Sequence, residues 1–259
     1  MTIYFYCRRL EDKHKKSAIH DYACRYMASW FPELPNYPNF NSRLNNLDSA
    51  ILSLLPLLLE RIDREGIVKG INQQITLVDS FPVILCSGNR SDKVTPELSY
   101  KSFCSTKNLF YYGVKMHTVA QKVQKSIPLM NFVSITPASE NDLAVIRPIL
   151  SKLEGKAIFA DKAYADVGLN QRLMKEQNTY IYTPVKLIKG QSQAQRQFNR
   201  AGDGLFSTAV SRVRQPIESL FNWINEKTGL QNAAKIRATK GLMVHIFGAL
   251  ATVLLHYIF

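Results

Sequence analysis

Two short apolar runs, each closed by an aspartate, constrain the fold of this chain more than any other feature. Ile75-Thr76-Leu77-Val78 leads into Asp79, and Ala157-Ile158-Phe159-Ala160 leads into Asp161-Lys162. Runs of this length and composition, bounded by polar residues, are strands of the buried kind. Sheets built from such strands form their sites at the strands' carboxyl ends, where both aspartates fall. A third acid, Glu218, lies on a helix expected over Pro216–Thr228 and stopped by Gly229. Three carboxylates brought together from these places would make an oxygen-rich pocket for divalent metal.

The charge balance suggests a partner. The 259 residues hold 33 lysines and arginines against 20 aspartates and glutamates, a net charge of +13. Such an excess attracts polyanions and makes their binding salt-dependent. Nucleic acid is the first candidate and an anionic membrane surface the second. Charge bears on association and not on fold, so a basic enzyme with neither partner stays open. Cys7, Cys24, Cys86 and Cys104 form no Cys-x-x-Cys pair, which suits reduced thiols in a cytosol. Cys7, His14, His20 and Cys24 match no zinc-finger spacing. The apolar stretch Gly241–Phe259 is long enough to raise the question of a membrane span. His245, Thr252 and His256 fall on one face of it, however, which predicts a helix docked on a globular core.

Along the chain, residues 1–66 read as a helical region, with apolar residues at helical spacing from Ile19 to Trp30. Arg8, Arg9, Lys13, Lys15, Lys16 and Arg25 load its first part, so a DNA-contacting region and a helical cap with solvated charges are both open. Three prolines between Phe31 and Pro38 interrupt it, and Pro56 is expected to kink or split the helix over Phe40–Ile62. From Ile71 the period becomes two. Strands are predicted at Ile71–Val78, Phe110–Val119 and Pro128–Thr136, then at the Asp161 run and at Thr179–Pro184. Helices are predicted over Leu143–Leu153, capped by Ser139, over Asp166–Gln177, and over Arg237–Phe259. Residues 186–206, polar and glutamine-rich, read as a flexible loop. The fold class is therefore α/β, with a mixed five-stranded sheet flanked by helices (67–259) after the small helical N-terminal region.

Each acid also has a plain structural role open to it. Asp79-Ser80-Phe81-Pro82 is turn chemistry. Asp161 can pair with Lys162 or a nearby arginine at the surface. Glu218 in the first turn of a helix answers the helix dipole. As a set they fit metal-assisted phosphodiester chemistry, in which two divalent ions about 3.5–4 Å apart serve the attacking and leaving oxygens. No phosphate loop, Gly-x-Ser-x-Gly elbow, His-Glu-x-x-His motif or glycine-rich dinucleotide turn is present.

Three linked motifs carry a resemblance. Val78-Asp79-Ser80, Asp161-Lys162-Ala163-Tyr164 and Arg214-Gln215-Pro216-Ile217-Glu218 resemble the motifs around the three acids of bacterial insertion-sequence DDE transposases, whose core is ribonuclease H-like. Tyr112-Gly113-Val114-Lys115-Met116-His117 looks like that family's second strand, and Ser99-Tyr100-Lys101 like its lysine-bearing approach. The resemblance runs from about Phe31 to the C-terminus. It implies that Asp79, Asp161 and Glu218 are catalytic and bind two Mg²⁺, for which Mn²⁺ substitutes. It implies DNA contacts from Lys101, Lys115, Lys162, Arg214 and Lys227, with His117 and Tyr164 in a second rank. His117 reads more readily as a packed strand histidine. A helix that starts at Pro216 leaves Arg214 ahead of it, either orienting Glu218 or gripping a phosphate. Ser211 and Asn225 stand where relatives often have tyrosine and lysine, with Lys227 two residues beyond the latter. The resemblance further implies cleavage of transposon ends and joining to target DNA, a homo-oligomer on DNA, no membrane, a place at the bacterial nucleoid in the cytoplasm, and a shortened N-terminal DNA-binding region. A metal-dependent nuclease without strand transfer and a catalytically silent DNA-binding descendant are the alternatives.

Overall fold

A computed structural model describes residues 1–88, 100–104, 107–186, 192–234 and 236–259, the side chains of 196, 198 and 199 excepted. Ser99 and residues 187–191 of the expected loop lie outside the described residues. The elements in chain order are α1 (Thr2–Leu10), α2 (Lys16–Tyr26), α3 (Tyr37–Asn45), α4 (Asp48–Arg64), β1 (Ile71–Ser87), β2 (Tyr100–Cys104), β3 (Leu109–Val123), β4 (Leu129–Pro137), α5 (Asp142–Leu150), β5 (Ala157–Phe159), a 3-10 turn (Lys162–Tyr164), α6 (Val167–Gln177), β6 (Tyr180–Tyr182), α7 (Gln193–Arg214), α8 (Pro216–Thr228) and α9 (Thr239–Ile258). The sheet is six-stranded and mixed, in the order β2-β3-β1-β5-β6, with β4 also on β3. This is the α/β, ribonuclease H-like arrangement expected, with one strand more. The added strand is β2, five residues antiparallel to β3.

The chain packs as two compact units. One holds residues 69–81 and 115–221. Its core joins Val78 of β1, Val119 of β3, Ile158 of β5 and Ile181 of β6 to Leu143, Ile146 and Leu150 of α5 and Leu169 and Leu173 of α6. The other holds residues 1–68, 82–114 and 222–259. There Ile3, Tyr4, Cys7, Ile19, Ala23, Leu44 and Ile51 pack around Val244 of α9. α9 is long and apolar enough to cross a membrane, yet 67% of that stretch is buried in the fold, against α1, α3 and α4. Of its polar stripe His245 and Thr252 are buried, while His256 is half-buried: His245 Nε2–H donates to the Leu230 carbonyl at 2.9 Å, and Thr252 Oγ1 to Gly248 O at 2.7 Å.

Local chemistry corrects several expectations. β1 does not stop at Asp79 but runs on through Pro82 to Ser87. Its β5 partner ends first: the parallel register covers Ile75 to Leu77 only. Pro82 therefore lacks an N–H beyond that paired segment. Pro56 does not split α4, which runs on through it; Leu52 and Pro56 are exposed, so the carbonyl left without its helix partner lies on the solvent side. The break falls at Asn46–Leu47 instead. Asn141, not Ser139, caps α5, its side chain accepting from Ala144 N at 3.1 Å, and the helix ends at Leu150. From Gln193 onward the expected loop is helix. Ser192 and Gln195 form a capping box at the start of α7, and glutamine and arginine are good helix formers.

Arg8 is not a surface charge. It is 1% exposed, its guanidinium donating to Tyr4 Oη at 2.6 Å and to Thr228 O, the last carbonyl of α8, at 2.8 Å. A cation there answers the negative end of the helix dipole. It leaves the set of N-terminal residues open to DNA.

Candidate active site around Asp79

The sheet aligns the two aspartates. In the parallel β1–β5 pair, Leu77 lies opposite Phe159. Two residues further, the same register brings Asp79 level with Asp161, on strands about 4.8 Å apart. Ala160 N–H still bonds Tyr182 O at 3.0 Å, so the backbone keeps its course up to Asp161. Asp79 is thus a strand residue and not the start of a turn. Its Oδ1 accepts from Ser80 N at 2.8 Å. Asp161 is exposed, and its Oδ1 caps the 3-10 turn through Lys162 N at 2.7 Å.

Glu218 joins through Arg214. Arg214 Nη1 meets Asp79 Oδ2 at 2.5 Å, and Nη2 meets Glu218. The same-face geometry holds although Pro216 lies between. Gln215 keeps helical angles (φ −46, ψ −36), Gln215 N bonds Ser211 O, and Glu218 N bonds Gln215 O. Arg214 and Glu218 therefore stand one helical turn apart, as i and i+4 neighbours do. All of these groups lie in one unit.

Asp79 reports on the arrangement. Burial raises its carboxyl to about 6, the charges of Asp161 and Glu218 push the same way, and Arg214 and the Ser80 N–H oppose them. The three acids feel one another at Asp79. Tyr164, the last residue of the 3-10 turn that Asp161 caps, is 2% exposed. Its hydroxyl lies toward Ser80 without a hydrogen bond of standard geometry, and burial together with Asp79, Asp142 and Asp161 raises its pKa.

Beside this cluster lies one that sequence reasoning did not find. Lys115 Nζ pairs with Asp142 Oδ1 at 3.0 Å and also donates to Glu140 O at 3.1 Å. His117, wholly buried, bonds Thr136 Oγ1 through Nε2 at 2.7 Å and turns an unpaired Nδ1 toward Asp142 Oδ1 at 3.7 Å. Burial lowers its pKa to about 4 against the pull of Asp142, so the ring is neutral at neutral pH. The available signal was Asp142 itself, in the first turn of α5.

The remaining expected DNA contacts are dispersed. Lys162 is exposed at the 3-10 turn. In the other unit, Lys101 is exposed on β2 with Nζ 5.4 Å from the centre of the Phe110 ring, and Lys227 is half-buried in α8.

Asp79, Asp161 and Glu218 offer hard oxygen donors, the chemistry Mg²⁺ selects. Burial, and after it the charges of Asp161 and Glu218, raise the Asp79 carboxyl, so positive charge at this point is favourable. Among the described residues no three His, Cys, Asp or Glu side chains form a ready cage. Arg214 supplies the cation instead. The donor set fits in its chemistry.

No curated protein and no solved structure gives a significant match to the chain. A family model described as the transposase DDE domain matches residues 71–255. That family acts on DNA and generally uses divalent metal ions. The match takes in all three acids and most of the chain, and the protein belongs to the transposase DDE family.

Proposed function

We propose that the protein is the transposase of a bacterial insertion sequence, cutting transposon ends and joining them to target DNA at the cytoplasmic nucleoid, as a homo-oligomer on DNA. The supporting observation is the coupling of Asp79, Asp161 and Glu218 at one point of one unit. In the first step the oxygen of water bonds to phosphorus and the 3′ oxygen leaves. In the second, that 3′ hydroxyl attacks a target phosphodiester and the target's own 3′ oxygen leaves. Asp79, Asp161 and Glu218 would hold two Mg²⁺, or Mn²⁺ in their place, which lower the pKa of an attacking oxygen and offset charge on phosphorus.

The chain's own residues prepare the site. β1 and β5 fix the two aspartates side by side, while Arg214 keeps Glu218 turned toward Asp79 and is a donor for a phosphate when it lets go. Lys162, Lys101 and Lys227 contact the DNA backbone, and Lys115 reaches a phosphate only by releasing Asp142. Tyr164, packed into the core of the unit with its N–H on the Asp161 carbonyl, anchors the turn that carries Asp161. The assay is cleavage and strand joining of element ends with Mg²⁺. Asp79→Asn and Glu218→Gln each abolish both, and activity surviving both refutes the assignment. A cut product that is never joined leaves a nuclease. A silent DNA-binding descendant draws on one observation, that Arg214 already neutralises two of the acids, and calorimetry showing no Mg²⁺ or Mn²⁺ binding would favour it.

A further inference from the structure

The outward face of the β2–β3 hairpin is aromatic where an edge hairpin is ordinarily polar. Residues alternate between faces along a strand. Cys104 and Tyr111 point inward, 4% and 1% exposed. Lys101, Phe103, Phe110 and Tyr112 share the opposite face, with Phe103 directly across from Phe110 and Lys101 across from Tyr112. The phenylalanines are 48% and 57% exposed, with ring centres 5.1 Å apart. Antiparallel strands with one solvated face usually place polar side chains there, so two bare rings side by side are a departure that calls for a ligand.

We infer that this face is a stacking platform for unpaired bases of DNA. Aromatic rings accept any base because every base has a π face, and cations beside them take the phosphates. Lys101 stands over Phe110, and residues 100–113 contain Lys101 and Lys107 but no acid. A second copy of the chain fits less well: a two-fold contact would set Lys101 and Lys107 of one copy near those of the other. The inference rests on the DNA-acting reading above for its partner and adds which part of the DNA is held, namely nucleotides not in a duplex.

The test titrates labelled oligothymidylate, and a blunt duplex of equal length, with the full chain in EDTA at fixed salt. The Phe103→Ala/Phe110→Ala double variant loses about tenfold or more in single-strand affinity. Phe110→Trp keeps the affinity and Phe110→Leu, apolar but without a π face, loses it. Duplex affinity changes less than about twofold, since backbone charge carries it. Unchanged melting curves show that the variants fold, as expected for exposed positions. Unaltered single-strand affinity in the double variant overturns the inference, as does an equal loss on duplex. A fall in sedimenting mass with DNA binding intact would make the face a contact between copies, and also overturns it. Asp79→Asn keeps single-strand binding in EDTA, so the two readings fail separately. Phenylalanine-dependent binding without any cleavage by the native chain sinks only the transposase reading.

Discussion

Replacing Arg214 by glutamine removes a cation shared by Asp79 and Glu218. The Arg214 and Asp79 side chains are 16% and 17% exposed and meet at 2.5 Å. Taking one partner from a largely buried pair costs about 3–5 kcal/mol, because the other charge stays behind uncompensated. The Ser80 N–H and the residual exposure keep the cost near the lower bound, about 3 kcal/mol. The bond to Glu218, whose side chain is 52% exposed, adds little. At roughly 2–4 °C per kcal/mol for a chain of this size, Arg214→Gln lowers the melting temperature by about 6–12 °C in EDTA at pH 8.

The same reasoning gives a pH dependence. Asp79 already titrates near 6, raised chiefly by burial, and Arg214 is the largest force holding it down. Removing Arg214 raises it further. An acid whose folded pKa is raised is a better proton acceptor folded than unfolded. Its stability is present at low pH and lost as pH rises through the folded value. The deficit of Arg214→Gln is therefore small at pH 5, where Asp79 carries a proton, and full at pH 8. Mg²⁺ at pH 8 stabilises the variant more than the native chain, since its cation site has lost a competitor. Thermal unfolding at both pH values, with EDTA and with Mg²⁺, reads all three effects. Equal melting of variant and native protein at pH 8, or a deficit that does not change with pH, refutes the shared-cation account.

Three further outcomes concern the fold. His245 is held down to about 4 from 6.5, by burial first and then by the charge of Arg8, so stability present above pH 6.5 is lost as pH falls toward 4. His245→Gln removes about 2 kcal/mol of that acid sensitivity between pH 7 and pH 5, measured by urea unfolding. Gly248→Ala places a methyl 2.7 Å from Cε1 of Tyr4, which is 1% exposed, and overpacking of this kind costs about 1–3 kcal/mol by chemical denaturation. Asn141→Ala costs about 1 kcal/mol as a lost cap, whereas Ser139→Ala stays within about 0.5 kcal/mol, and the reverse order would restore Ser139 as the cap.

Elements with a strong local signal were legible. The apolar runs before Asp79 and Asp161 are the paired core of the sheet, and Asp166, Gly229 and the Pro216 start mark helix ends where expected. Composition misled where it stood in for period. The glutamine-rich tract reads as linker by content, yet Ser192 three residues before Gln195 is a helix start written in the same letters. β2 is five residues at a sheet edge, too short for alternation to stand out, and its outward face breaks the polar pattern that would have marked it. Pro56 has the character of a breaker, but its effect depends on whether the released backbone faces solvent or core, which only the fold decides.

The candidate site was half legible for a similar reason. Its acids sit at positions that sequence can rank: one inside a strand, one just past a strand, one in a first helical turn. What ties Asp79 to Glu218 is a contact across 135 positions in the chain. Seen locally, Arg214 and Glu218 are an i,i+4 pair with a worth of about 0.3–0.5 kcal/mol and no reason to matter. Folded, the second nitrogen of the same guanidinium holds an aspartate buried in the sheet, and the pair becomes a brace between helix and strand. Because the brace is ionic and partly buried, it holds Asp79 and Glu218 close through a charge that, on the proposed function, a metal ion would replace. An apolar contact would have fixed the same geometry and made the site inert.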